Sequence, residues 1–194
     1  MKKYLIFTDL DGTLLDHENY SYGNNKKTIT SIINNENDVI FNTSKTFSES
    51  INLLKKLNLT NMPFSTENGA LLYFPKKRFK KIRNSSDYDK YWKIRIAKLS
   101  SKNWYQFLLR KQKKFNFLIA QDFTSKILKK YTNLDNTSKM LKRGASQIIL
   151  WEDSLVNLKK FKNELKSEKQ GVLIQGSRFM QVSSVCNKRI AKKL

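Results

Sequence analysis

The sequence predicts an α/β fold: a doubly wound parallel sheet with a mixed α/β domain inserted into it. Three observations predict this. Residues 4–8, Tyr-Leu-Ile-Phe-Thr, form a short aromatic and β-branched run, the pattern of a strand buried on both faces. Strand-like and helix-like segments then alternate with short connections, the order that a parallel sheet requires. Finally, a long stretch with strands and helices of its own separates these segments from the basic C-terminus.

The first strand stops at Asp9, and Gly12 permits a sharp turn just beyond it. Asp9 and Asp11 therefore sit in a loop at the carboxyl end of a strand, where open α/β sheets place ligand sites. Two carboxylates one residue apart can share a hard cation such as Mg²⁺. One of them can also attack phosphorus while the other handles the proton. Residues 16–25 read as a polar surface loop; its His17 is not a catalytic candidate, because Asp11 has the better claim to proton transfer.

Ile29, Ile32 and Ile33 lie at helical spacing within residues 28–35, and residues 38–42, Asp-Val-Ile-Phe-Asn, read as a second buried strand. A helix over residues 47–57 follows, with Ile51, Leu54 and Leu57 on one face. Thr43 then occupies the place equivalent to Asp9, one strand over. Its hydroxyl can donate to a phosphoryl oxygen beside the first N–H groups of the helix, or it can serve as an N-cap. Ser44 and Lys45 follow, and Lys45 either contacts an anionic substrate or is a solvated lysine. Residues 67–69, Glu-Asn-Gly, have the propensity of a tight hairpin turn.

Residues 75–81 are a basic loop. Beyond it, the pattern predicts a helix over 103–114, a strand over 115–120 and one or two helices within 124–141. A strand over 146–151, a helix over 155–165 and a hairpin of 171–174 and 179–182 complete the insertion. A domain that handles an anionic substrate needs positive forks, which Arg supplies best. Arg143 and Arg178 are the candidates there, with Ser146 and Gln147 weaker.

Composition bounds the function. The chain of 194 residues is 39% hydrophobic and holds 12 Phe, 8 Tyr and 3 Trp, which argues for a packed core rather than disorder. Its one cysteine, Cys186, excludes an intramolecular disulfide. No run is long and apolar enough for a membrane span or a secretory core, so a cytoplasmic protein with no membrane partner is expected. The net charge of +22 would suit a nucleic-acid binder. The lysines, however, run along the whole chain beside abundant Asn. They are read as background that steers anions, and nucleic acid is not expected as a partner.

Residues 9–13, Asp-Leu-Asp-Gly-Thr, resemble the first motif of the haloacid-dehalogenase-like (HAD) phosphatases. The resemblance implies a HAD-like sheet with a mobile cap, Asp9 as nucleophile and Asp11 as general acid/base. Thr43 is similar to the second motif. Lys188 is similar to the third, where a lysine holds the phosphoryl group, although Asn187 stands where the family has a small residue. Residues 42–46, Asn-Thr-Ser-Lys-Thr, together with 67–70, Glu-Asn-Gly-Ala, look like the mannosyl-3-phosphoglycerate phosphatases of compatible-solute synthesis. This implies a small anionic sugar-phosphate substrate contacted by Ser44, Lys45, Asn68, Arg143 and Arg178, with Mg²⁺ held by Asp9 and Asp11. Alternatives are a phosphatase for another sugar phosphate and an inactive anion- or nucleic-acid-binding remnant.

The implied domains are a core over residues 1–74, a cap over 75–182 and a return to the core over 183–194. The family's fourth motif, an acidic loop, has no counterpart, since residues 169–194 contain neither Asp nor Glu. The reading is of a sheet incomplete at its C-terminus, a Mg²⁺ site short of ligands, and self-association through an exposed sheet edge.

Overall fold

The computed structural model describes residues 3–10, 13–14, 22–23, 25–124, 126–127, 141–176 and 179–184. Asp11, Arg178 and Lys188 lie outside these residues, as does most of the helical stretch expected over 124–141. The chain divides into two compact units, the first built on the N-terminal 96 residues and the second on Ala97–Cys186.

In the first unit, β1 (Leu5–Thr8), β2 (Asp38–Asn42) and β3 (Phe64–Thr66) run parallel, in that order across the sheet. The connections are α1 (Asn25–Asn34) and α2 (Phe47–Leu57), as the apolar periodicity requires. α2 is closed at both ends by local chemistry. Thr46 and Glu49 form a reciprocal capping box, and Asn58 ends the helix in the left-handed conformation at φ 60°. The sheet then turns antiparallel through β4 (Leu71–Pro75), β5 (Ser86–Tyr88) and β6 (Tyr91–Arg95), in the order β4-β6-β5.

Two expectations change here. β1 is not buried on both faces: Leu5 is 57% exposed, and the rest of the strand is half-buried. Among the described residues β1 has a strand on one side only, so its outer side chains lack a second neighbour to cover them. Residues 75–96, expected to open the cap, instead extend the first sheet. β6 pairs with all of β4, from Leu71↔Arg95 to Pro75↔Tyr91. In β6 two adjacent aromatics are followed by Lys93 and Arg95 around Ile94, so no clean apolar alternation marks the strand. Tyr91 is buried, its ring edge-on to both Phe47 and Phe64.

The second unit is an antiparallel sheet of β7 (Phe117–Ile119), β8 (Ser146–Trp151), β9 (Gly171–Gln175) and β10 (Met180–Ser184), ordered β7-β8-β10-β9. It packs with α3 (Ser101–Lys111) and α4 (Leu155–Lys169) around Trp104, Phe107, Leu108, Phe117, Phe161 and Leu165. The hairpin read from the sequence is present, with Met180 opposite Gln175 and Ser184 opposite Gly171.

Candidate active site at the carboxyl ends of the parallel strands

Because β1, β2 and β3 are parallel, their carboxyl ends share one edge of the sheet. Thr8 lies opposite Phe41 in the register. Asp9 and Thr43 are each the first residue past their strands, and Glu67 is the first past β3. The Asp9 carboxylate is oriented from within its own turn: Oδ1 accepts the Leu10 N–H at 2.7 Å, and the Thr8 hydroxyl donates to the Asp9 carbonyl at 3.0 Å. Leu10 and Leu14 are buried behind it and anchor the turn.

Thr43 is fully buried, and its surroundings decide between the two roles open to it. The cap of α2 is Thr46, whose side chain accepts the Glu49 N–H. Thr43 is therefore free of capping. Its N–H donates to the Ser65 carbonyl at 3.2 Å, and its Oγ1 accepts the Lys45 N–H at 3.1 Å. The loop is thus wound into a tight turn on its own hydroxyl.

The Glu67–Gly69 stretch is a short 3₁₀ turn between β3 and β4, with φ positive at three residues in a row: 52° at Glu67, 60° at Asn68 and 86° at Gly69. Such a conformation persists only when the surroundings over-determine it. Here the Glu67 N–H donates to the Lys45 carbonyl at 3.0 Å and the Asn68 N–H to the Thr43 carbonyl at 2.9 Å. Two segments some 25 residues apart in sequence become one hydrogen-bonded unit at the edge beside Asp9. Beneath them the Ser65 hydroxyl donates to Asn42 Oδ1, both residues being buried. Sequence reasoning missed this pair. Asn42, the polar end of a strand otherwise read as buried, was the available signal.

Close by, the Tyr73 phenol is buried. Burial first, then the neighbouring Tyr88 and the Glu67 carboxylate, raise its pKa far above the usual tyrosine range. Its protonated form is favoured.

The structure therefore brings Thr43, Ser44, Lys45 and Asn68 together, on the strand end next to Asp9. Ser44 and Lys45 are half-buried. Arg143 belongs to the second unit. There its Nη1 donates to Ser146 Oγ at 3.0 Å and approaches Gln181 Oε1 at 3.5 Å. Gln147 has a structural role instead, since its side-chain N–H groups donate to the Ser101 carbonyl at 3.0 Å and hydroxyl at 2.8 Å, tying β8 to α3. Among the described residues no three His, Cys, Asp or Glu side chains converge as a metal cluster. No helix among them is long and apolar enough to cross a membrane.

Comparison with known proteins agrees with this fold. The profile of the haloacid dehalogenase-like hydrolases matches residues 6–193. A glucosyl-3-phosphoglycerate/mannosyl-3-phosphoglycerate phosphatase from Methanococcoides burtonii is 42% identical over 77 residues, which span 40% of this chain and 28% of that relative. Among solved structures, a haloacid dehalogenase-like hydrolase from Bacteroides thetaiotaomicron superposes with a TM-score of 0.64 at 14% identity, covering 99% of this chain and 75% of that one. A protein from Streptococcus mutans gives 0.67 at 14% identity, covering 99% and 74%. A haloacid dehalogenase-like hydrolase from B. subtilis gives 0.61 at 12% identity, covering 97% and 78%. At these identities the superpositions establish the fold.

Proposed function

The chain belongs to the haloacid dehalogenase-like hydrolase family, and we propose on that footing that it is a Mg²⁺-dependent phosphatase acting through an aspartyl-phosphate on Asp9. The observation that carries this reading is the single edge shared by Asp9 and the locked Thr43–Lys45 and Glu67–Gly69 turns. A nucleophilic carboxylate needs its attacking oxygen aimed and its surroundings rigid. The Leu10 N–H bond to Oδ1 and the interlocked turns meet both needs.

In the proposed reaction a carboxylate oxygen of Asp9 forms a bond to phosphorus as the bond to the ester oxygen breaks. Asp11 gives the leaving oxygen a proton and then takes one from the water that cleaves the aspartyl-phosphate. The Thr43 hydroxyl, whose oxygen already accepts from Lys45, has its proton available for a phosphoryl oxygen. Lys188 offsets the charge of the transferring group. Asp9 and Asp11 are oxygen donors that suit Mg²⁺, which when bound shields the nucleophile from the anionic phosphoryl group.

For substrate we propose a phosphoglycerate carrying mannose or glucose. Its support is the aligned relative named for both esters, together with Ser44, Lys45 and Asn68 as polar groups at the edge. Within the second unit, Arg143 is proposed as an anion-binding side chain. The test is phosphate release from these esters with Mg²⁺, comparing the parent with Asp9→Asn, and mass spectrometry of acid-quenched protein to find phosphorylated Asp9. Loss of both signals in Asp9→Asn is expected. Undiminished turnover would refute the mechanism, and preference for an unrelated sugar phosphate would refute the substrate alone.

A further inference from the structure

The first unit carries its positive charge unevenly. Nine of the twenty residues 76–95 are Lys or Arg, against 38 of 194 in the whole chain. Six of these nine fall in the octapeptide 76–83, Lys-Lys-Arg-Phe-Lys-Lys-Ile-Arg. Runs of this kind are a sequence signature of polyanion sites.

The sheet decides where this charge lies. β4 runs antiparallel to β3, so its end at Pro75 lies at the edge opposite to Asp9 and Thr43. The ion pair of Arg78 with Asp38, the first residue of β2, fixes the run at that amino-terminal edge.

The backbone there is held in place. The N–H groups of Arg78 and Phe79 both donate to the Pro75 carbonyl at 3.0 Å, Lys76 N–H donates to Lys90 O at 2.9 Å, and the Trp92 indole donates to Phe79 O at 3.0 Å. Of the nearby acids, Asp87 pairs with Lys76 at 2.6 Å and Asp38 with Arg78, while Asp89 is exposed beside Lys90. That leaves Lys77, Lys80, Lys81, Arg83 and Lys90 exposed, with no acidic partner among the described residues. Beside them opens a cleft of about 640 Å³, lined by Lys76, Lys77, Lys90 and Tyr91 with Asp89 as its one acid.

We propose that this edge binds the phosphodiester backbone of a single-stranded nucleic acid, without sequence preference and apart from the catalytic edge. Five unpaired cations on a held backbone meet a phosphate chain with little ordering cost. Tyr88 is 37% exposed beside them and keeps part of its ring open to a base, with Lys93 Nζ 4.3 Å from its centroid and Phe47 packed against it. A lipid surface fits less well. The segment is loop and hairpin rather than an amphipathic helix, and its other rings are occupied, Phe79 against Phe74 and Trp92 beneath the Lys76 ammonium. A duplex fits less well too, because no helix or ribbon of the run is free to enter a groove.

The test is fluorescence anisotropy of the full chain with 20-nucleotide single-stranded RNA and DNA probes, a DNA duplex, and phosphatidylserine vesicles as a control. Neutralising five phosphates of a single strand predicts a log–log salt slope of about −3.5, or roughly 100-fold weaker binding at 200 mM than at 50 mM salt. Replacing Lys77, Lys80, Lys81, Arg83 and Lys90 by Ala should remove most of that slope and leave phosphate release unchanged. The pair Lys80→Ala/Lys81→Ala alone should reduce it by about 1.4.

The matched control removes five charges from α4: Lys159, Lys160, Lys162, Lys166 and Lys169, each to Ala. It should bind nearly as the parent does. Equal weakening in both sets would assign binding to diffuse net charge and overturn the proposal. Tighter binding to vesicles or to the duplex than to the single strands would overturn it as well. If RNA and DNA strands bind alike, the backbone is the ligand; a preference for RNA would add a contact to the 2′-hydroxyl.

Discussion

Gly171 begins β9 directly after Gln170, which ends α4 in the left-handed conformation at φ 49°. A Cβ added at Gly171 would lie 2.7 Å from the Trp104 ring, 2.8 Å from Leu165 Cγ and 2.9 Å from Leu165 Cδ1, where ordinary contact is 3.4–4 Å. Both neighbours are fully buried in the second unit's core and have nowhere to withdraw. Gly171→Ala should therefore cost ~1–3 kcal/mol by overpacking. The smaller entropy of the unfolded Ala chain offsets ~0.4–1 kcal/mol of that. The expected net loss is about 1–2 kcal/mol, or a few degrees in melting temperature for a chain of this size.

A double-mutant cycle isolates the cause. Leu165→Ala alone should cost ~2–5 kcal/mol by leaving a cavity. With both substitutions the new methyl enters the vacated space, so the double mutant should be at least ~0.5 kcal/mol more stable than additivity predicts. Urea melts followed by tryptophan fluorescence and circular dichroism measure all four corners. Parental stability in Gly171→Ala, or strict additivity in the cycle, would refute the packing argument.

Two further perturbations probe the site and the ion pairs. Asn68→Gly keeps the N–H bond to Thr43 and suits φ 60°, so it should preserve stability within a few tenths of a kcal/mol. Asn68→Ala should lose about 1 kcal/mol in a melt because Ala resists the left-handed region. If Asn68→Gly also loses phosphate-releasing activity at full stability, the side chain contacts substrate, as proposed. Hydrogen bonds from Lys111 and Lys114 hold the Glu164 carboxyl below the usual glutamate range. For Lys111 burial acts downward, but the hydrogen bonds to Glu164 and Glu168 outweigh it and leave its pKa raised. The pairs therefore stabilise above the ordinary glutamate value of 4.5 and are lost as pH falls through the depressed folded value. Glu164→Gln should lower stability at pH 7 by up to ~1 kcal/mol. The difference from the parent should shrink as pH falls below 4.5 and through the depressed value, where both come to carry a neutral side chain; a constant difference across urea melts at pH 7, 5 and 3 would contradict this.

The residues 4–8 strand, the α2 helix and the hairpin of β9 and β10 were legible because their signals are local. Each rests on apolar periodicity and turn chemistry within about a dozen residues. Asp9 was legible for the same reason, since a strand, two acids and a glycine lie in one short stretch. By itself the sequence determined the α/β class, the family resemblance and the place of Asp9 at the end of the first strand.

Only the tertiary structure decided the rest. It showed that Thr46 caps α2 and so released Thr43, and that the Asn68 and Glu67 N–H groups close onto the Thr43 and Lys45 carbonyls. Those bonds join backbone atoms whose side chains carry no trace of the pairing. It moved residues 75–96 into the first sheet, because β6 pairs along the whole of β4 and buries Tyr91 against Phe47 and Phe64. It also separated two populations of lysine that look alike in sequence. A cleft lined by Lys76, Lys77 and Lys90 distinguishes residues 76–90 from the lysines of α4, most of which are as exposed. Charge read along a chain is a sum, whereas binding depends on how many charges face one surface, and folding sets that number.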